Sequence, residues 1–362
     1  MMIKSMFPVL LLSGLLAQAM AQPSLQEYEN RIKQINDDIY AQYYDSPAKL
    51  FRETNSKTGD KKPHSYLWPL CALVQAANEM ERLQPGGSYV PPVMDAIDKY
   101  YSTKPPVPGY EAYVVAEGGD DRFYDDNQWV AIACLDAYNR TKQKKYLLVA
   151  QAVYRFMITG FDAKAGGGLY WKEGDGGTKN TCSNGPGILV ALQLHRITRD
   201  KRYLDTALLL YQWVNKNLLS PEGLYYDAVK IPAGTIDKRY YTYNTGAMLQ
   251  ANVLLYSITG RKDYLQEAQR VAEAAINYFY KNGRYPRNHW FNAVLLRGYE
   301  ELYKADGNKK YINSFISDAD SIWKKEANEK AVTNPVHTQK LLDRAGLLEI
   351  YARLALLKKE GF

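Results

Sequence analysis

The sequence predicts an all-α protein of the (α/α)6 barrel class, a ring of six helical hairpins. One supporting observation is a repeat. A Tyr followed by Leu or Ile recurs after a short polar turn at Tyr146, Tyr203, Tyr264 and Tyr311, at spacings of 57, 61 and 47 residues. That period fits two helices and a long loop. The second observation is that the helical segments alternate between two kinds along the chain.

The first kind is apolar on several faces, as in the run from Trp129 to Leu135, and such a helix is typical of a buried position. These predicted inner helices are 65–83, 125–140, 185–198, 243–258, 288–305 and 338–357. The second kind has one face rich in charged and polar residues. These predicted outer helices are 24–43, 91–102, 144–160, 201–218, 262–280 and 309–326. Because no linker or low-complexity tract interrupts the pattern, 22–362 is predicted to be one domain.

Residues 1–21 have the pattern of a signal peptide. Lys4 precedes the apolar stretch Met6–Leu16, and Ala19-Met20-Ala21 is a small-x-small cleavage site. The apolar stretch is too short to span a bilayer. We therefore expect an exported protein, periplasmic or secreted, without a membrane span. No cysteine lies directly after the stretch, so a lipid-anchored N-terminus is not expected.

Composition limits the partners. The formal net charge is +7, with Lys and Arg scattered along the chain, so no nucleic-acid partner is predicted. The three cysteines, Cys71, Cys134 and Cys182, do not have the number or spacing of a disulfide scaffold. Cys71 and Cys134 lie in apolar helical runs, whereas Cys182 lies in a predicted polar loop. No Cys or His grouping has zinc-ligand spacing. We expect a monomer without metal or organic cofactor.

Five long loops precede inner helices and should therefore meet at one end of the ring, where a site is expected. They are 61–66, 117–126, 166–184, 225–244 and 282–290. The connections at the other end are short, as in Thr259-Gly260-Arg261.

Four acids crowd one of these helix starts: Asp120, Asp121, Asp125 and Asp126. One Asp there would be read as a helix cap, but four repel one another and capping alone does not explain them. Consecutive Cα atoms are about 3.8 Å apart, so Asp125 and Asp126 can hold their carboxyls near the ~5–5.5 Å separation of retaining glycosidases. Burial and a neighbouring charge would raise the pKa of one of them. A calcium site is an alternative, although the acids lack EF-hand spacing.

The same loops carry side chains suited to saccharides. The Gly-rich turn 166–171 ends in Tyr170 and Trp171, which either pack inward or form a platform for a sugar ring. It lacks the residues of a phosphate-binding loop. The other aromatic and histidine candidates for substrate binding are His64, Tyr66, Trp68, Trp129, Tyr226, Tyr243 and Trp290. The polar candidates are Asp120, Asp121, Lys179, Asn180, Asn184 and Asn244.

Four motifs occur in order at these helix starts: Tyr124–Trp129, Gly166–Trp171, Lys179–Pro186 and Tyr243–Gly246. Together they resemble bacterial glycoside hydrolase family 76, the α-1,6-mannanases, over about residues 60 to 300. The resemblance implies an (α/α)6 barrel that cleaves α-1,6-mannan or manno-oligosaccharides with retention and without a cofactor. It implies that Asp125 is the nucleophile and Asp126 the acid/base.

Three alternatives stay open at this point. One is a glycan-binding toroid with an idle acid pair. Another is a different (α/α)6 carbohydrate enzyme, such as a lyase or uronyl hydrolase, which would need basic groups facing a uronate; Arg122, Lys179 and Arg284 are candidates. The third is glycan transfer, as inferred for fungal-wall relatives of the family. Endo and exo action are not distinguished by the motifs.

Overall fold

The computed structural model describes residues 22–56, 60–332 and 338–362. The predicted signal peptide, 1–21, lies outside the described residues. Within this part of the chain the helices alternate in position as predicted. The outer helices are α1 (Leu25–Gln42), α3 (Val90–Ile97), α5 (Lys144–Ile158), α7 (Lys201–Leu218), α9 (Lys262–Phe279) and α11 (Lys310–Val332). The inner helices are α2 (Leu67–Leu83), α4 (Tyr124–Thr141), α6 (Thr181–Thr198), α8 (Thr242–Thr259), α10 (His289–Asp306) and α12 (Leu341–Lys359).

The inner helices form a closed ring. Each packs on the next, from α2 through α4, α6, α8 and α10 to α12, and α12 packs back on α2. The (α/α)6 prediction is therefore confirmed. The ring is tight where glycine lets two backbones approach. A Cβ on Gly246 of α8 would lie 2.6 Å from the Cα of Leu295, and one on Gly346 of α12 would lie 2.3 Å from the backbone nitrogen of Trp290. Neither distance is possible for a side chain, so both contacts require glycine.

Three helix boundaries differ from the prediction by more than end fraying. Helix α11 ends at Val332 rather than at residue 326. Helix α3 ends at Ile97, and residues 98–102 continue as a 3-10 turn and a short strand. Helix α6 begins at Thr181 rather than at residue 185 and runs through Pro186. Pro186 lacks an N–H, so continuing the helix through it costs one backbone hydrogen bond. As a result Cys182 lies in a helix and is buried, not in a polar loop as predicted.

The long loops contain short strands. They are β1 (Tyr44–Asp45), β2 (Leu50–Phe51), β3 (Tyr101–Ser102), β4 (Gly109–Tyr110), β5 (Thr178–Asn180), β6 (Tyr226–Lys230) and β7 (Thr235–Tyr240). Strands β5, β6 and β7 form one antiparallel sheet, in which Lys179 pairs with Val229 and Val229 with Ile236. The connection predicted over 225–244 lies between α7 and α8, and most of it is the hairpin of β6 and β7. Its two strands flank the turn Ile231–Gly234, whose Pro and Gly are turn residues.

A buried ionic cluster lies on the inner faces of three helices. Arg353 of α12 contacts carboxylates from α2, α10 and α12, and Arg297 of α10 lies 2.6 Å from one of the same carboxylates. The carboxylates are those of Glu79, Glu300 and Glu349, and all are buried. Among the described residues, no helix combines the length and the apolar character needed to cross a membrane.

Candidate active site

The first turn of α4 presents Asp125 and Asp126 to a cleft of about 730 Å³ at the end of the ring that carries the long loops. Phe123, not an aspartate, is the N-cap residue, and it makes no capping hydrogen bond. Capping therefore does not explain the pair. Both side chains are half-buried, and within the described residues neither carboxylate is in a salt bridge. The pair is turned toward the cleft and is not neutralised by arginine or lysine.

The loop that precedes α6 positions one of the two carboxylates. The backbone N–H of Tyr124 donates to the carbonyl oxygen of Trp171 at 3.0 Å, and Trp171 N–H donates to the carbonyl of Thr178 in β5. These bonds hold the Trp171 ring over the start of α4, where its Nε1 donates to Asp125 Oδ2 at 3.3 Å. The Cys182 thiol also faces Asp125. Asp125 Oδ1 is buried without a hydrogen-bond partner.

The two carboxyls differ in acidity. Burial raises the pKa of Asp125 to about 6, although Cys182, the Asp126 backbone and Trp171 all act in the opposite direction. Burial and the adjacent Asp125 charge raise the pKa of Asp126 well above the usual range of aspartate, with no hydrogen bond opposing them. Asp125 is thus the first of the pair to ionise as the pH rises, and Asp126 holds its proton longer.

The rest of the cleft is lined by aromatic residues, by residues of the β5–β6–β7 sheet and by three further residues. The aromatic residues are Tyr66, Trp68, Phe123, Trp171, Tyr241, Tyr243 and Phe291. The β5–β6–β7 sheet contributes Thr178, Asn180, Asp227, Ala228, Lys230, Asp237 and Arg239. Ala112, Asp120 and Cys182 complete the lining. Tyr66 and Trp171 are the most exposed of the aromatic rings, at 38% and 39%, so both offer a face to a ligand.

Eight of the residues predicted from the sequence meet in this cleft. They are Tyr66, Trp68, Asp120, Asp125, Asp126, Trp171, Asn180 and Tyr243. They come from four different helix starts, so the prediction that the long loops converge is correct for these positions. Nine other predicted site residues do not line the cleft.

Lys179 and Tyr170 hold the glycine-rich loop instead of facing a ligand. The Lys179 side chain is completely buried, and its Nζ donates to Asp162 Oδ1 at 2.6 Å and to the backbone carbonyls of Lys164 and Gly167. The Tyr170 hydroxyl donates to the same Asp162 carboxylate at 2.9 Å. A buried ammonium needs this many partners, and their spacing in the sequence gave no sign of the contact.

Two asparagines that were predicted to bind substrate, Asn184 and Asn244, instead form hydrogen bonds within the protein. Asn184 is buried and donates to the carbonyls of Leu169 and Asn180, while its Oδ1 accepts from the N–H of Leu169. Asn244 is buried and donates to Asp227 Oδ1 at 3.3 Å. Asn184 therefore fixes the loop beneath the cleft, and Asn244 orients an acid that lines it.

Three further residues predicted to bind substrate contact other protein side chains instead of lining the cleft. His64 is buried, with Nδ1 2.6 Å from Glu117 Oε1. Asp121 forms a salt bridge with Lys172 on the surface. The Tyr226 ring stacks on that of Tyr240, with centroids 5.2 Å apart.

Trp129 and Trp290 form a floor below the cleft. They are 2% and 1% exposed, and their rings meet edge to face with centroids 5.3 Å apart. Trp68, which does line the cleft, packs on Trp290 at 5.7 Å. Burial of both indoles follows from their inner-helix positions, which the sequence analysis treated as part of the rim.

Sequence reasoning missed the sheet wall of the cleft. Arg239 of β7 lies 2.7 Å from Asp237 and 3.6 Å from Asp227, so two acids and one base face the same space. Two short strand-like runs on either side of the Pro232-Ala233-Gly234 turn were the available signal for this hairpin.

The uronate-binding candidates lie elsewhere. Arg122 is buried and pairs with Glu173 at 2.6 Å, and Arg284 lies 3.7 Å from Asp318 in a separate cavity. Lys179 lies in β5, and its ammonium group is buried against the glycine-rich loop, as described above. None of the three lines the cleft. In the described part of the chain, no group of three or more His, Cys, Asp or Glu is placed to hold a metal ion, and the three cysteines are free.

Comparison with known sequences gives one family. The sequence model of glycosyl hydrolase family 76 matches residues 27–317. The mannan endo-1,6-alpha-mannosidase DCW1 of Saccharomyces cerevisiae is 33% identical over an alignment of 177 residues that covers 41% of this chain and 39% of that protein. DCW1 of Candida glabrata is 32% identical over an alignment of 182 residues that covers 46% of this chain and 40% of that protein. The chain thus spans about two fifths of the length of these curated relatives.

Solved structures share the fold. The family 76 mannosidase Bt3792 of Bacteroides thetaiotaomicron superposes with a TM-score of 0.80 at 25% identity, over 92% of this chain and 100% of that one. The α-1,6-mannanase GH76A of Salegentibacter, in an inactive variant with two aspartates changed to asparagine and with α-1,6-mannotriose bound, gives a TM-score of 0.77 at 22% identity. This match covers 91% of this chain and 99% of that one.

Proposed function

The chain belongs to glycosyl hydrolase family 76, and on that premise we propose that it is a retaining endo-α-1,6-mannanase acting on mannan. The single observation that carries the proposal is the acid pair: Asp125 and Asp126 face one cleft without a neutralising cation among the described residues. Two carboxyls beside one glycosidic bond, one ionised and one protonated, are what retaining hydrolysis requires.

The order of ionisation supports the two proposed roles. Asp125 ionises first and has the Trp171 N–H to orient it, so its carboxylate attacks the anomeric carbon. Asp126 retains its proton and donates it to the leaving glycosidic oxygen. Once Asp125 is esterified to the sugar, its negative charge is gone and the pKa of Asp126 falls. Asp126 can then take a proton from the water that hydrolyses the glycosyl-enzyme.

The cleft walls suit a neutral polysaccharide. Trp171, Tyr66 and Trp68 provide apolar ring faces for sugar stacking. Asn180 and the paired charges of the sheet wall provide hydrogen-bond partners for hydroxyls. The mannan specificity is supported by the relatives, two of which are named mannan endo-1,6-alpha-mannosidases and one of which binds α-1,6-mannotriose.

The domain organisation, the oligomeric state and the location of the enzyme are also proposals. We infer that 22–362 acts as one catalytic domain, as a monomer, after export to the periplasm or the medium. The N-terminal pattern around Lys4 and Ala21 supports export.

The test is the activity of Asp125→Asn and Asp126→Asn on unbranched α-1,6-mannan, followed by release of reducing ends. Each substitution should lower kcat by about 10³-fold or more, because one removes the nucleophile and the other the general acid. Proton NMR of the wild-type reaction should show the α anomer as the first product. Asp121→Asn is the matched control. It removes an exposed acid close to the pair in the sequence, and it should keep full activity.

A kcat near that of the wild type in either pair variant would remove the mechanism. Mannan binding without any release of reducing ends would instead favour the glycan-binding toroid. Longer products formed in the presence of manno-oligosaccharide acceptors would favour transfer over hydrolysis.

A further inference from the structure

The end of the barrel opposite the cleft is strongly basic. The five segments at which α4, α6, α8, α10 and α12 end contain fifteen Lys and Arg but only four Asp and Glu. The segments are 140–145, 196–202, 260–263, 304–310 and 358–360. The formal charge of the whole chain is +7, so positive charge is concentrated at this end.

A cavity of about 690 Å³ opens within this basic end, where α4, α6 and α8 finish. We call it the basal pit. Three cations line it: Lys142, Arg196 and Arg199. Among the described residues none of the three forms a salt bridge, and no acidic side chain lines the pit. The amide side chains of Asn139 and Gln193 face the same space and supply further N–H donors.

Two of these cations occupy positions that favour glycine. Lys142 and Arg199 have left-handed backbones, with φ of 58° and 62°, and each closes its helix through an N–H to a carbonyl four residues back. The same position after α8 and α10 is Gly260 and Gly307, with φ of 70° and 73°. Side chains with a Cβ are disfavoured in this conformation. The chain nevertheless has a cation at both positions that line the pit.

Compensation of the helix dipoles does not account for both Lys142 and Arg199. A cation in the last turn is favourable at a helix C-terminus, and Arg140 of α4 and Arg196 of α6 already fill that role. Lys142 and Arg199 lie one residue beyond their helices. Helices α8 and α10 end with glycine at the corresponding position and fold without such a cation.

We propose that the basal pit is a binding site for a phosphate group, carried by a soluble phosphate ester or by the headgroup of an anionic lipid. Arginine presents parallel N–H donors that match phosphate oxygens, and a second arginine and a lysine supply charge for a dianion. The inner helices separate the pit from the acid pair by about 27 Å, at a rise of about 1.5 Å per residue. Occupation of the pit therefore leaves the cleft free for substrate.

The experiment measures binding of two probes to the full protein at low salt. Calorimetry with inorganic pyrophosphate tests a soluble phosphate. Co-sedimentation with phosphatidylcholine vesicles containing phosphatidylglycerol, against pure phosphatidylcholine vesicles, tests a lipid headgroup. The pit variant is the double substitution Lys142→Gly and Arg199→Gly, which removes two cations and restores the residue found at the equivalent positions, so folding is not at risk. It should weaken binding of the probe at least about tenfold.

The matched control removes two cations of the same end outside the pit, by Lys144→Gln with Lys262→Gln. It should change affinity less than threefold, and both double variants should hydrolyse mannan like the wild type. Pyrophosphate binding identifies a soluble ligand, and binding to the phosphatidylglycerol vesicles alone identifies a headgroup. Equal weakening by the two double variants would show a diffuse surface charge and overturn the site, as would the absence of binding to either probe.

Discussion

Two groups of carboxylates lie in the same barrel and differ in their partners. Asp125 and Asp126 face the cleft, and among the described residues no cation neutralises them. The second group lies on the inner faces of α2, α10 and α12 against Arg353. The carboxylates that contact Arg353 are Glu79, Glu300 and Glu349, at 3.0, 2.8 and 2.9 Å. The comparison teaches that a cation beside a buried acid opposes the rise in pKa that burial causes.

The balance differs within the Arg353 group. Burial outweighs Arg353 at Glu300 and raises its pKa, whereas the cations prevail at Glu79. Burial disfavours the charge of Glu79, but Arg353, Arg82 and Arg297 outweigh it and hold its pKa below the usual value. Stability from Glu79 is therefore present above its unfolded pKa and is lost as the pH falls through the folded pKa. The pKa of Asp125 is raised from an unfolded value of about 3.9 to about 6. Its contribution has the opposite sign: it is present below the unfolded value and is lost as the pH rises toward 6.

The largest effect on stability is expected from removing the arginine that the three buried glutamates share. Arg353→Met keeps much of the side-chain length but leaves three buried carboxylates without their shared guanidinium. Removing one partner of a buried ionic group costs about 3–5 kcal/mol, and we expect the free energy of unfolding, measured by urea titration at pH 7, to fall by that amount.

Arg202→Met is the matched control, because Arg202 also pairs with one carboxylate, Asp200 at 2.6 Å, but its side chain is 87% exposed. Exposed pairs contribute little, so this variant should unfold within about 1 kcal/mol of the wild type. If Arg353→Met is no more damaging than the control, the carboxylates on the inner faces are not held by that arginine.

The sequence predicted the fold better than the cleft, for a physical reason. Helix periodicity and the Tyr repeat are local signals that predicted the ring, and the crowding of four aspartates at one helix start is a local signal that pointed to the acid pair. Whether a side chain reaches the cleft depends on contacts between distant segments. Lys179 is the clearest example, since its partner Asp162 lies 17 residues earlier and ties it into a loop. Asn184 was similarly predicted as a ligand, but its helix starts four residues before the predicted one and buries it.

Removal of a carboxylate from the pair Asp125 and Asp126 should raise the free energy of unfolding, whereas removal of Arg353 should lower it. Asp126→Asn removes an acid whose ionisation burial and Asp125 oppose. We expect this variant to be more stable than the wild type by about 1–2 kcal/mol at pH 7.5, after allowance for solvent access to the cleft. Near pH 3, below the unfolded pKa of about 3.9, the wild-type carboxyl is largely protonated in both folded and unfolded chains, and the gain should shrink toward zero.

Urea unfolding at the two pH values measures this difference. Asp121→Asn, at an exposed acid paired with Lys172, is the control and should shift stability by no more than about 0.5 kcal/mol at either pH. A pH-independent difference between Asp126→Asn and the wild type would mean that the pair carries no raised pKa.

The smallest expected effect is a shift in the pH dependence of activity that distinguishes Asp125 from Asp126. Trp171→Phe keeps a ring over the cleft but removes the N–H that donates to Asp125 Oδ2 at 3.3 Å. Because that bond favours the ionised form, its loss should raise the pKa of Asp125 above about 6. The acidic limb of kcat/KM should move to higher pH by less than about one unit. Tyr170→Phe removes a hydroxyl that donates to Asp162 instead, so its limb should stay in place. A limb that moves in both variants would reflect a loosened loop, whereas movement in Trp171→Phe alone assigns that limb to Asp125 and leaves Asp126 as the proton donor.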